Sequence, residues 1–138
     1  MNRQTLIEAA RAAALRAYAP YSHFRVGAAI VIATSEGPRV VTGANVENAS
    51  YGLTLCAERT ALAAATQLVP AGELLAVEQV AVACIDAKDD ATDGERMPCG
   101  ACRQWLAELA PQATYYVDGV ERDLTLDDLL PNAFRLER

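Results

Sequence analysis

The chain has 138 residues, 52% of them hydrophobic, and its 18 acidic and 12 basic residues leave a net charge of −6. This length suits one domain that buries a core without disulfide staples. An acidic balance has the wrong sign for gripping a polyanion, which argues against nucleic acid as a partner. No run approaches the roughly 20 apolar residues that cross a bilayer, so no membrane span is expected.

Glu8, Arg11 and Arg16 interrupt any apolar stretch near the N-terminus, so no signal peptide is expected. Leu6, Ile7, Ala10, Ala14 and Leu15 instead form a helical stripe, predicting a helix over 5–18 that stops before Pro20. Val26–Ala33 and Arg39–Gly43 are apolar, β-branched runs joined through Ser35-Glu36-Gly37-Pro38, a hairpin. A polar loop, Asn45–Tyr51, leads to a helix opened by Cys56 and reaching Leu68. Val77–Ile85 predicts a strand, apolar without interruption from Val80 onward, of the kind covered on both faces. The acidic segment Asp86–Glu95 follows, then a helix over Gly100–Leu109 stopped by Pro111. Thr114–Val117 and Val120–Leu124 flank Asp118-Gly119, a two-residue hairpin signal, and Asp127–Leu130 makes a last short helix. The order α-β-β-α-β-α-β-β-α predicts an α/β fold, a three-layer α-β-α sandwich with a mixed five-stranded sheet, in a single domain over 1–138.

The cysteines carry the chemistry. Residues 56–58 read Cys-Ala-Glu and residues 98–102 read Pro-Cys-Gly-Ala-Cys. A cytoplasmic location is expected, where thiols stay reduced and such spacing serves a metal in preference to disulfides. Cys99 and Cys102, three apart, share one face at a helix start, and Cys56 opens another helix. Thiols there gain hydrogen bonds and a lowered pKa. Cys56, Cys99 and Cys102 therefore supply three ligands for a zinc ion, and no fourth Cys or His completes a closed structural site. Cys84, inside an apolar strand, reads as a core residue, and His23, the only histidine, as a structural hydrogen-bonding residue. Glu58 projects away from Cys56 and can serve a metal-bound water as general base and acid. Three thiolates on Zn²⁺ leave a formal charge of −1, for which Arg59 is the compensator, donating to ligand sulfurs; Arg103 and Gln104 are further candidates for that work.

Cys56-Ala57-Glu58-Arg59-Thr60-Ala61 and Pro98-Cys99-Gly100-Ala101-Cys102-Arg103-Gln104 resemble the zinc signature of the cytidine deaminases, in its three-cysteine form. Pro20–Phe24, Val26–Ala29, Gly43–Tyr51 and the C-terminal Leu129-Leu130-Pro131 with Phe134 are also similar to segments of that family. The resemblance implies one Zn²⁺ per subunit and hydrolytic deamination of cytidine and 2′-deoxycytidine in pyrimidine salvage. Activated water would attack C4, with Glu58 as proton shuttle. It further implies a nucleoside held by Phe24, Asn45, Val46, Glu47, Ala49, Tyr51, Ala57 and Phe134. Tyr51, Ala49 and Phe134 would come from across subunit boundaries of a homotetramer. Asn45 and Glu47 alternate along an extended segment, suited to a ribose hydroxyl and a base edge, and Phe24 offers a flat face to a pyrimidine. A Glu47 carboxylate and the overall charge disfavour a phosphorylated substrate. Other readings of the same residues are a deaminase for a cytosine-containing antibiotic, a nucleic-acid-editing deaminase, and a zinc-stabilised interaction module without chemistry.

Overall fold

In the computed structural model, which describes residues 1–138, the first helix starts where the Asn2 side chain accepts from the Thr5 amide at 2.9 Å. This helix, α1 (Arg3–Ala14), is shorter than its periodicity suggests and leaves Leu15 exposed. The hairpin pairs β1 (Val26–Thr34) with β2 (Gly37–Ala44) through a turn at Ser35–Glu36, where Gly37 adopts φ 103°. Pro38, which cannot donate to a ladder, falls on β2, an edge strand. A 3₁₀ turn (Tyr51–Leu53) precedes α2 (Ala57–Thr66). After β3 (Val77–Cys84) come α3 (Asp93–Arg96), α4 (Gly100–Leu109), β4 (Thr114–Val117) and α5 (Leu126–Leu129).

The sheet runs β2-β1-β3-β4, antiparallel except for the parallel β3–β4 pair. Alternation along the strands divides the core between two faces. Ala29, Val31, Ala81, Ala83 and Tyr116 pack on one side with Leu6, Ile7 and Ala10 of α1. Ala28, Ile30, Ile32, Val80, Val82, Tyr115 and Val117 pack on the other with α2, α4 and α5. The result is an α-β-α layering around a single mixed sheet. Two glycines let the helices lie close. A Cβ on Gly27 would stand 1.9 Å from the Ala10 carbonyl of α1, and one on Gly43 2.5 Å from the Ala61 nitrogen of α2. Gly43 therefore seats the helix that Cys56 opens.

The sheet has four strands rather than the expected five. The chain does reverse at Asp118-Gly119, with Gly119 at φ 88°, but Val120–Leu124 forms only an isolated antiparallel bridge between Leu124 and Tyr115. The Arg3 guanidinium of α1 takes the carbonyls of Val120 and Glu121. Val120 and Leu124 are buried in the core shared with α4 and α5. The helix α3 was not expected. Its Thr92-x-x-Glu95 capping box, with the Thr92 amide 2.6 Å from the Glu95 carboxylate, is nevertheless a sequence-level start signal.

Candidate active site

Cys56 is the N-cap of α2 and Cys99 the N-cap of α4, with Cys102 fully buried in the first turn of α4. The Sγ atoms of Cys56 and Cys99 are 3.8 Å apart, and all three sulfurs lie within 4.8 Å of one another. A tetrahedral zinc with Zn–S bonds of about 2.3 Å requires its sulfurs to be about 3.8 Å apart. The donor set and its spacing therefore fit Zn²⁺. The Cys56 thiol is lowered to about 5, chiefly by its hydrogen bond with Cys102, with Arg59 and Cys99 adding to the effect. Cys102 is raised by the same partner and by burial. Of this pair, Cys56 is thus the sulfur that carries negative charge more readily.

Arg59 stands beside that charge. Its Nη2 donates to the Cys56 sulfur at 3.4 Å and to the Thr54 carbonyl at 3.2 Å, while its Nε is buried without a partner. Arg59→Gln removes the charge, and a several-fold to 100-fold loss of zinc affinity or activity is expected, the usual effect of altering groups that support metal ligands. Zinc titration and initial rates check this; unchanged values for both would refute it. Arg103 and Gln104 have a different task from the sulfur contact expected of them. Arg103 binds the Pro98 carbonyl at 2.8 Å and the Leu129 carbonyl at 2.5 Å, and Gln104 binds the Phe134 carbonyl at 3.0 Å. They tie the Cys99 loop and α4 to the C-terminal segment.

A cavity of about 270 Å³ opens at the thiols, and Cys56, Ala57, Glu58 and Cys99 line it. Glu58 is only 4% exposed, and burial raises its carboxyl above the ordinary range. Phe24, Asn45 and Glu47 lie on the wall of the same cavity. Asn45 is buried, its Oδ1 accepting from the Val26 amide at 2.8 Å and its Nδ2 donating to the Phe24 carbonyl at 2.9 Å. Glu47 is half-buried in the single chain. Its Oε1 accepts from the Tyr21 and Ser22 amides at 3.0 and 3.1 Å, and hydrogen bonding from Ser22 lowers its carboxyl. A hollow of about 400 Å³ between Phe24 and the acidic loop holds none of the thiols, so the chemistry belongs to the smaller cavity.

Val46, Ala49, Tyr51 and Phe134 do not line the cavity and are exposed, Tyr51 at 73% and Phe134 at 69%. His23 adopts φ 55° in the turn before β1, its amide bonded to the Ala19 carbonyl. Trp105 is partly exposed on α4, whereas Tyr115 and Tyr116 are core residues, the Tyr115 hydroxyl donating to the Ala110 carbonyl. Sequence reasoning missed a further part of the cavity lining, formed by Cys84, Glu95, Arg96 and Met97. Cys84 is half-buried at the cavity and not a closed core position; its thiol is raised to about 11 by burial and lies 3.8 Å from the Arg96 carbonyl. It stands outside the three-sulfur cluster.

A mixed sheet bearing two helix starts that converge three thiols, with a buried carboxylate in the adjoining cavity, defines a zinc centre of the hydrolytic class. The model of the cytidine and deoxycytidylate deaminase zinc-binding region matches residues 1–118, and the chain belongs to that family. It is 45% identical over 141 residues to the cytidine deaminase of Halalkalibacterium halodurans, covering 99% of this chain and 97% of that protein. Against the cytidine deaminase of Mycobacterium tuberculosis it is 46% identical over 125 residues, 91% of this chain and 84% of that one. The crystal structure of cytidine deaminase from Burkholderia pseudomallei superimposes with a TM-score of 0.79 at 46% identity, covering 97% of this chain and 100% of the other.

Proposed function

We propose that this chain is a zinc-dependent cytidine deaminase that converts cytidine and 2′-deoxycytidine, with water, to uridine and 2′-deoxyuridine with release of ammonia. The observation that carries this reading is one cavity shared by the Cys56 and Cys99 thiols, the buried Glu58 and the Phe24–Asn45–Glu47 wall. Cys56, Cys99 and Cys102 would hold the zinc, which when bound would supply a water acidified to a pKa of about 7. Glu58 would take one proton as water adds to C4 and pass it to the ring nitrogen, then take the proton of the new C4 hydroxyl and pass it to the amine, which departs as ammonia and leaves the carboxylate regenerated. Burial favours its protonated form and so brings it toward a relay working near neutral pH. Phe24 provides a face for the pyrimidine. Glu47, with one oxygen engaged by backbone amides, has its other oxygen for a ribose hydroxyl, and Asn45 fixes the backbone on both sides of Arg25, just after Phe24, and offers its remaining amide hydrogen. Ala57, at the start of α2, stands where backbone groups can meet the polar edge of the base.

The catalytic unit is read as one domain over 1–138, working in pyrimidine salvage in the cytoplasm. Its form is read as a homotetramer in which Ala49, Tyr51 and Phe134 complete a neighbour's cavity beside Val46. Exposed apolar side chains near the site, among them Tyr18, Val46, Tyr51 and Leu53, favour such burial. No helix is long and apolar enough to cross a membrane.

Zinc-loaded protein mixed with cytidine should abolish the cytosine absorbance and release one ammonia per nucleoside. dCMP should react far more slowly, because its phosphate meets the charge of −6 and Glu47. Loss of dCMP at a rate near that of cytidine would overturn the preference for free nucleosides, and no loss of cytidine would overturn the function.

A further inference from the structure

The Phe24 ring belongs to neither apolar cluster of the core, so packing alone does not hold it. Its place depends on how the backbone around it is tied. The Phe24 amide donates to Ser22 Oγ at 3.0 Å and its carbonyl accepts from Asn45 Nδ2 at 2.9 Å. The next residue, Arg25, is anchored more strongly and across the chain. Its amide and Nε donate to Asp86 Oδ2 at 2.8 and 2.9 Å, and its Nη2 to Asp86 Oδ1 at 2.8 Å. The Ile85 amide returns a bond to the Arg25 carbonyl at 3.2 Å.

Asp86 also opens the segment that supplies another part of the cavity lining. It follows Cys84 by two residues, and the loop it starts is held to Arg96 through Nη2 and the Lys88 carbonyl at 2.9 Å. Cys84, Arg96 and Met97 line the same cavity as Phe24, whereas neither Arg25 nor Asp86 does. One ion pair thus joins two walls of the cavity without entering it. We propose that the Arg25–Asp86 pair is a positioning clamp that holds the Phe24 wall to the Cys84–Met97 wall and thereby sets affinity for the pyrimidine. This rests on the deaminase reading above and on Phe24 as the face for the base.

The residue types suit the task. A guanidinium fork matches both carboxylate oxygens, a two-point geometry that fixes orientation and that an ammonium cannot reproduce. The Arg25 contact holds the Asp86 carboxyl at about 2, so the clamp stays ionised at neutral pH. Both side chains keep partial solvent exposure, 42% for Arg25 and 25% for Asp86. Pairs of that kind add little to global stability, so the clamp acts on local geometry and its loss leaves the fold intact.

The test uses the full-length, zinc-loaded protein and its Asp86→Asn and Arg25→Lys variants. KM for cytidine should rise about five-fold or more in each, with kcat within about two-fold of wild type. Zinc content should stay at the wild-type value, and the inhibition constant of the product uridine should rise with KM. The charge-swapped double variant Arg25→Asp with Asp86→Arg should recover part of the loss. If Asp86→Asn misfolds, Arg25→Lys carries the same comparison. An active wild type whose variants keep the wild-type KM, or lose kcat or zinc instead, overturns the clamp and leaves the deaminase reading standing. A wild type that does not deaminate cytidine overturns that reading and the clamp with it.

Discussion

Glu58→Gln is expected to fold, bind a full complement of zinc and deaminate cytidine about 10² to 10⁴-fold more slowly than wild type, the usual share of a general acid–base group. Glutamine keeps the shape and polarity of the side chain at a position only 4% exposed, so packing is preserved. It removes the one property the reaction needs, the capacity to take up and return a proton. Because Glu58 would act on groups that gain or lose protons during the reaction, kcat and kcat/KM should fall together. The measurements are zinc per chain, a melting curve and initial rates. A variant that retains zinc and turns over at the wild-type rate would remove Glu58 from the mechanism and revive a zinc-bearing module in which the carboxylate is only structural.

Cys102→Ser should lose stoichiometric zinc and all measurable activity, and should melt well below the zinc-loaded wild type. The lost sulfur is fully buried and belongs to the three-thiol cluster. Structural zinc sites bind with on the order of 10 kcal/mol, and whatever part of that binding favours the folded state disappears with the ligand. A chelated wild type should approach the melting temperature of the variant. Cys84→Ser is the internal control. Its sulfur lies outside the cluster, so zinc content should not change. Zinc loss in Cys84→Ser, or zinc retention in Cys102→Ser, would show that the ligand set is wrongly assigned.

Much of the molecule can be read from local signals. The helix Gly100–Leu109 and the strand Thr114–Val117 occur at the expected residues, because Pro98 and Pro111 bracket the helix and the Asp118-Gly119 turn ends the strand. The three ligands are legible because Cys-x-x-Cys and Cys-x-Glu place thiols at helix starts whatever the rest of the chain does. The expected fifth strand was not legible in the same way. Val120–Leu124 has a strand-like pattern, yet Arg3, more than a hundred residues away, takes its carbonyls. Helix α3 shows the reverse case: a capping box too short to raise a periodic signal still forms a turn once the loop is tethered.

By itself the sequence determined the zinc chemistry and its candidate residues, because ligand type, spacing and a neighbouring carboxylate are properties of short segments. Only the tertiary structure decided which side chains share the cavity. It brought Cys84, Arg96 and Met97 into the cavity that Phe24 lines, left Tyr51 and Phe134 outside, and paired Arg25 with Asp86 across two strands. These are contacts between residues distant in the chain, chosen by how β1 and β3 align and how α2 and α4 pack against them. No local pattern encodes that alignment, because it depends on the whole core closing at once.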